Sequence, residues 1–339
     1  MQLEWEGFEV QAARPFRISR SIQQRVGRVW VRVRAGGLEG WGEADPSPYY
    51  GETPATVVEA LERMQPVLGS AGEPEGLEAL ETRLRLAAPS AGSARAAVSA
   101  ALHDLVGKRT GLPLWKLWGL EPSRAPLSSF TIGIDTPEMV EERVRSAAAY
   151  PVLKVKLGTD QDDDILAAVR RAAPDKPLRV DANAGWPASE ALQRIGRLAD
   201  LGVEFVEQPL SPTDREGYRF LYDRSPLPIV VDESCIDASD IPGLVGLAHG
   251  INIKLSKCGG PREALRMIHT ARACGLRVMM GCMLETTLGI APAAHLSPLL
   301  DYADLDGAAL LREDPFRGPH LEDGRIVLGD EPGLGVWRA

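Results

Sequence analysis

The sequence is short of the residues that staple or metallate small domains. Its four cysteines, Cys235, Cys258, Cys274 and Cys282, form no CxxC pair and have no histidine-paired spacing. No extracellular disulfide framework is expected, and reduced thiols point to a cytoplasmic protein. No run of about 18 apolar residues occurs. The opening MQLEWEGFEVQAARPF lacks a basic segment followed by an apolar one, so neither a membrane span nor a secretory leader is expected. Basic residues are also outnumbered: 38 Lys and Arg face 47 Asp and Glu, for a net charge of −9. That balance argues against nucleic acid or an anionic membrane as partner and leaves a small molecule as the natural ligand. Nothing in it speaks against a homo-oligomer.

What is present is an ordinary globular composition, 44% hydrophobic and 25% charged over 339 residues. That is too long for one small core, so a large barrel or two domains is expected. Residues 1–120 read as an α+β unit. Strand-like alternation spans Leu3 to Ala12 and Arg28 to Arg34, with Val29, Val31 and Val33 on one face, and the Gly- and Pro-rich WGEADPSPYYGETP follows. Helical stretches come next, near Thr53 to Leu68, Gly76 to Leu86 and Ser93 to Arg109. The segment GLPLWKLWGLEPSRAPL leads out of this unit.

From Leu127 onward a short β-rich run, a loop and a helical stretch recur. Eight such runs can be read: SSFTIGI, VLKVKLG, PLRVDAN, VEFVEQP, PIVVDES, GINIKLS, RVMMGCM and YADLDG. Helical candidates fill seven gaps, and an eighth helix is missing or atypical. Eight βα units imply a (β/α)8 barrel over residues 121–310, of the α/β class, capped by the first unit. Residues 311–339 are expected to return to that cap, since Gly324 to Leu328 is strand-like and has no place in a closed barrel.

Chemistry in such barrels sits at the C-terminal strand ends. Those ends carry Lys154 and Lys156, Asp181, Glu207, Asp232, Lys254, Cys282, and Asp304 with Asp306. The spacings from Lys156 through Asp181, Glu207 and Asp232 to Lys254 are 25, 26, 25 and 22 residues, one functional group per βα unit. Any one of these acids alone reads most simply as a solvated or N-capping carboxylate. Three on adjacent strands form a hard oxygen set suited to Mg2+. Lys156 and Lys254 then lie across the barrel mouth, so a metal-bound carboxylate places its α-carbon between two lysines. The anion formed by removing that proton needs a fixed positive charge, and the base needs a neutral amine, which a neighbouring Lys154 ammonium favours. Lys257, three residues after Lys254, would face the opposite way on a strand and is the weaker candidate base. His103, His269 and His295 lie in helical stretches without ligand spacing.

The set KVK, DAN, EQP, DES and NIK resembles the muconate-lactonizing branch of the enolase superfamily over essentially the whole chain. INIKLSKCGG, MMGCMLET and DLDG resemble its dipeptide epimerases. The resemblance implies epimerisation at the α-carbon of a dipeptide's C-terminal residue by a two-lysine proton transfer through an enediolate, with one Mg2+ per subunit. It implies that Asp304 and Asp306 hold the α-ammonium group, and that Thr131 (or Ser129) and Lys154 lie near the substrate carboxylate. It also implies Cys282 beside the dipeptide backbone and Arg20 in a mobile loop over the site, within reach of an acidic side chain. The alternative is an o-succinylbenzoate synthase or N-succinylamino acid racemase, whose anionic substrates would meet the Asp304/Asp306 pair unfavourably. An acid-sugar dehydratase would need a histidine on a late strand. A barrel retained only for metal-dependent binding would not need all five core groups, and all five are present.

Overall fold

The computed structural model describes residues 1–74 and 76–339. An antiparallel sheet opens the chain, with β1 Gln2–Ile18, β2 Ser21–Ala35 and β3 Leu38–Ala44 in that order. Val29, Val31 and Val33 all face inward and are fully buried, because side chains two apart on a strand share a face. Three helices cover that face: α1 Pro54–Gly69, α2 Leu77–Ala87 and α3 Gly92–Thr110. Gly40 and Gly42 set the distance between β3 and α3. A Cβ on them would lie 1.9 Å from the Ala101 carbonyl oxygen and 2.1 Å from that of Ala97, so only glycine lets the helix seat this closely. The β1–β2 ribbon runs longer than its apolar alternation suggests. Past a register shift between Gln11 and Phe16 it continues to Ile18 and Ser21, and its turn carries Ser19 and Arg20 out over the second unit.

After a short helix α4 (Leu114–Leu117) the strand–helix repeat begins, with β4 Phe130–Ile132, α5 Pro137–Ser146, β5 Leu153–Lys156 and α6 Asp162–Ala172. It continues with β6 Leu178–Asp181, α7 Ala188–Asp200, β7 Val203–Glu207, α8 Arg215–Tyr222 and β8 Ile229–Val231. The last third is β9 Gly250–Ile253, α9 Leu255–Cys258, α10 Pro261–Ala273, β10 Arg277–Gly281, α11 Thr287–Leu296 and β11 Tyr302–Asp304. All eight strands β4 to β11 pair in parallel and in sequence order. A bridge between Ser128 and Ala303 joins the first strand to the last and rounds the sheet into a barrel.

Two gaps hold 3-10 turns in place of a helix. One, Gly307–Leu310, follows β11, where the eighth helix was expected to be atypical. The other, Ile241–Leu244, follows β8. There Pro242 falls in the first turn, where proline is tolerated, and Gly243 disfavours extension into a longer helix. The tail divides its contacts. Leu311 bridges Ala12 and Gly333 bridges Pro113, while Phe316 packs edge-on against Phe8 and Trp41. The strand-like run around Gly324 pairs as a hairpin, β13 His320–Glu322 with β14 Arg325–Val327, after β12 Phe316–Arg317 and before β15 Trp337–Arg338. This hairpin lies against the barrel and not the cap, since Ser128 N donates to Gly324 O at 2.8 Å. No helix among the described residues is long and apolar enough to cross a membrane.

Candidate active site

A cavity of about 640 Å³ opens at the C-terminal ends of the barrel strands beneath the β1–β2 hairpin, and its lining includes Lys156, Lys254, Asn183, Asp304, Asp306 and Tyr50. The alternation of β5 builds its floor. Leu153 and Val155 point out into the barrel's apolar shell, so Lys154 and Lys156 point in, and all four are buried. The next two strands end on Asp181 and Glu207, and β8 ends one residue before Asp232.

The buried charges are arranged in pairs. Lys156 Nζ lies 2.5 Å from Asp181 Oδ2, and Lys254 Nζ 2.8 Å from Asp232 Oδ2. Lys154 Nζ lies 2.7 Å from Glu207 Oε2, 2.8 Å from Asp304 Oδ2 and 3.5 Å from Asp181 Oδ2. Burial disfavours the charge on Lys154, but Asp304, Glu207 and Asp181 more than offset it and hold the ammonium well above the usual lysine range. Burial also works against the Lys254 ammonium, which Asp232 and Glu207 nonetheless raise.

The second oxygen of each carboxylate is tied down separately. Asn183 N donates to Asp181 Oδ1 at 2.8 Å, Asn252 Nδ2 to Glu207 Oε1 at 2.8 Å, and Lys257 Nζ to Asp232 Oδ1 at 2.5 Å. The three remaining oxygens, Asp181 Oδ2, Glu207 Oε2 and Asp232 Oδ2, face the lysines.

This donor set fits a hard divalent cation. Among the described residues no three such side chains form a ready-made metal cage, and the lysine ammoniums stand among the carboxylates. The chemistry of the trio is nevertheless acceptor-only and buried, and Glu207 Oε2 makes no hydrogen bond, Lys154 being near it but off alignment. Burial and the neighbouring Asp181 push Glu207 up to about 7, despite Lys154. Asp181 is held at about 2: burial opposes its charge, and Lys156 and Lys154 overcome that. A cation placed among these groups would relieve the repulsion that raises Glu207.

At the opposite rim β11 ends on Asp304, and Asp306 follows at the start of the Gly307–Leu310 turn. Thr131 ties them together, its Oγ1 donating to Asp304 Oδ1 at 3.2 Å and its backbone N to Asp306 Oδ2 at 2.6 Å. Ser129 Oγ also donates to Asp304 Oδ1, at 2.6 Å, so both residues read from the first strand reach this pair. Burial and the adjacent Asp304 push Asp306 up to about 7. Burial opposes the Asp304 charge, but Lys154 and Lys156 hold it low. Cys282 lines the cavity and donates its thiol to the Asp304 carbonyl oxygen at 3.2 Å; burial and the nearby acids keep it protonated.

Two expected positions differ. Lys154 does not line the cavity; its ammonium lies in the floor, bridging Glu207 and Asp304. Arg20 does reach the mouth, but its guanidinium is engaged, with NH2 2.6 Å from Glu233 Oε1, NH1 donating to Asn183 O at 3.0 Å, and its plane over Tyr49. Lys257 is also placed differently from the strand-based expectation. Because β9 stops at Ile253, the turn α9 curls Lys257 back under Asp232. His103 and His295 serve packing, pairing with the carbonyl oxygens of Ser99 and Leu334.

The groups whose role sequence reading missed are Asn183, Asn252, Lys257, which was weighed only as a base, and Glu233. Each stood inside a motif already singled out, DAN, NIK, KCGG and DES, but which carboxylate oxygen each would touch is a matter of barrel geometry.

Comparison with known proteins identifies the family of the chain. Residues 5–119 match the mandelate racemase / muconate lactonizing enzyme N-terminal domain, and residues 138–337 the enolase C-terminal domain-like family. The L-Ala-D/L-Glu epimerase of Bacteroides thetaiotaomicron is 39% identical, covering 100% of this chain and 88% of that protein. The hydrophobic dipeptide epimerase of Roseobacter litoralis is also 39% identical, over 99% of this chain and 98% of its own. The crystal structure of a dipeptide epimerase from Enterococcus faecalis, complexed with Mg and the dipeptide L-Leu-L-Tyr, superposes with a TM-score of 0.93 at 32% identity, covering 99% of this chain and 98% of that one. With both domains matched and relatives this similar over nearly all of this chain, the chain belongs to the mandelate racemase / muconate lactonizing enzyme family of the enolase superfamily, among its dipeptide epimerases.

Proposed function

We propose that this protein epimerises dipeptides at the α-carbon of the C-terminal residue, by proton transfer between Lys156 and Lys254. The observation that carries the reading is the arrangement at one cavity: two lysines and the Asp304/Asp306 pair line it, and the carboxylates of the three intervening strands lie buried beside the lysines. Asp181, Glu207 and Asp232 would hold Mg2+, which supplies fixed positive charge to the substrate carboxylate and so makes the adjacent carbon acidic enough to ionise.

The residues of the chain do the rest. Asp304 and Asp306 receive the α-ammonium group, which fixes the dipeptide's direction in the cavity. Thr131 orients both acids, and Lys154 sets the charge of Asp304 from below. One of Lys156 and Lys254 starts neutral and takes the α-proton, leaving an enediolate. The other starts as an ammonium and returns a proton to the opposite face. The stereocentre is inverted with no net change of protons in the site, and the roles exchange in the reverse direction. Arg20 pins the hairpin over the mouth through Glu233, which limits water around the anion. All four cysteines are free thiols, which suits work in the cytoplasm.

The test is deuterium incorporation from D2O into an L,L-dipeptide library with enzyme and Mg2+, read by mass spectrometry. Exchange at the C-terminal residue that needs Mg2+ and stops with a chelator supports the proposal and identifies preferred side chains. Silence across the library, with N-succinylamino acids exchanging instead, would move the assignment to a racemase.

A further inference from the structure

We infer that Lys257 is a positioning residue for the metal-binding carboxylate Asp232, an inference that rests on the metal assignment above. Its side chain is wholly buried, and its ammonium is surrounded by acceptors alone: Asp232 Oδ1 at 2.5 Å, Asp232 O at 2.6 Å, Cys235 O at 2.9 Å and Asn252 O at 3.1 Å. The donors of a lysine ammonium are thus spent on the end of β8, the loop after it and the end of β9, and none is directed at the cavity, which Lys257 does not line. A base would need to reach the substrate carbon, so this geometry rules Lys257 out of proton transfer.

Its bonds do determine how Asp232 stands. Lys254 and Lys257 divide one carboxylate between them, Lys254 on Oδ2 and Lys257 on Oδ1. With Oδ1 and the residue's own carbonyl oxygen both held by the same ammonium, the carboxylate cannot turn about its bond to the chain without breaking the 2.5 Å contact. Oδ2 is therefore the oxygen presented beside Asp181 and Glu207. A ligand whose free rotation has been removed before binding gives tighter coordination than one that must be ordered by the metal.

The seat of Lys257 is itself fixed from the capping domain. A Cβ on Gly92, the first residue of α3, would lie 2.6 Å from the carbonyl oxygens of both Ser256 and Lys257. The backbone of α3 therefore presses directly on the turn that carries the lysine. Orientation of Asp232 thus depends on contact between the two domains, through one buried side chain.

The experiment is isothermal titration of Mg2+ into the full-length enzyme without dipeptide, for the wild type, Lys257→Met, Asp232→Asn and the double variant, each with a melting curve. Lys257→Met is expected to melt cooperatively and to bind Mg2+ on the order of tenfold or more weakly. Its kcat should recover when Mg2+ is raised, because Lys156 and Lys254 are intact. In the Asp232→Asn background the same substitution should cost no further affinity, since the group it positions is already altered. Should Lys257→Met not fold, Lys257→Gln is read in the same way. Equal Mg2+ affinity in a folded variant would overturn the inference, as would additive losses in the double variant or failure of both variants to fold in saturating Mg2+. A wild type that binds no Mg2+ would instead overturn the metal assignment.

Discussion

Lys154 on β5 and Asp304 on β11 meet at 2.8 Å, although 150 residues separate them in the chain. The same ammonium reaches Glu207, so one buried lysine joins the metal-ligand side of the site to the rim where the dipeptide's amine is proposed to bind. Asp304→Asn is expected to act twice. Stability should fall by about 3 kcal/mol, the scale for leaving a buried charge short of its partner. Dipeptide turnover should fall on the order of a hundredfold in kcat/KM, the equivalent of losing one charge-assisted contact to the substrate amine. Denaturant unfolding and steady-state kinetics on the same variant separate the two effects. Turnover of dipeptides at the wild-type rate would show that Asp304 does not recognise the amine.

The two lysines make a sharper prediction. Lys156→Ala and Lys254→Ala should each lower epimerisation by at least about a thousandfold, in line with loss of a general acid or base. Each variant keeps the other lysine, so any residual α-proton exchange in D2O should be confined to one stereoisomer, and to opposite stereoisomers in the two variants. Proton NMR of L,L- and L,D-dipeptides incubated with each variant reads this directly. Exchange of both stereoisomers by either variant would remove the two-base mechanism.

Asp306 gives the reaction a pH signature. Burial and the adjacent Asp304 raise it to about 7, so it is mostly protonated at pH 6 and mostly ionised at pH 8. Only the ionised form attracts an ammonium group, so kcat/KM should fall about tenfold as the pH drops from 8 to 6. In Asp306→Asn this acid limb should disappear at a lower overall rate, while any alkaline dependence set by the lysines persists. A pH profile in the variant that keeps the acid limb would assign it to another group.

The sequence announced most of this architecture because both of its main signals are local. A strand that ends in a charged residue once per βα unit shows in the spacing, and eight repeats leave few folds that can hold them. Lys156, Asp181, Glu207, Asp232 and Lys254 were legible for that reason. The partners that aim them were not. Lys257 reads as outward-facing if the strand continues past Lys254, and only the early end of β9 at Ile253 turns it under Asp232. The length of the β1–β2 ribbon was hidden too, because beyond the bulge its residues stop alternating against a core and extend over the barrel mouth. Arg20 was found there, but its contact with Glu233 depends on how the capping unit docks on the barrel, which local patterning does not encode.

That docking surface carries the last prediction. Glu285, just beyond β10, is buried beside Glu43 and Asp45 of the capping domain, with Arg28 as the nearby cation. Burial, then Asp45 and Glu43, raise Glu285 to about 8, and burial raises Glu43 to about 7 although Thr286 and Arg28 oppose it. The folded protein therefore retains a proton on Glu285 up to about pH 8 that the unfolded chain releases near the ordinary value of 4.5. Because the folded state binds the extra proton, this group's contribution is fully present below about pH 4.5 and is lost as pH rises through about 8. Glu285→Gln imitates the protonated acid at every pH. The variant should melt close to the wild type at pH 4, below the unfolded-state value, and higher than it at pH 9, by on the order of a few degrees. Equal melting temperatures for the two proteins at pH 9 would show that folding does not raise Glu285 and that Arg28 offsets its burial and the neighbouring acids.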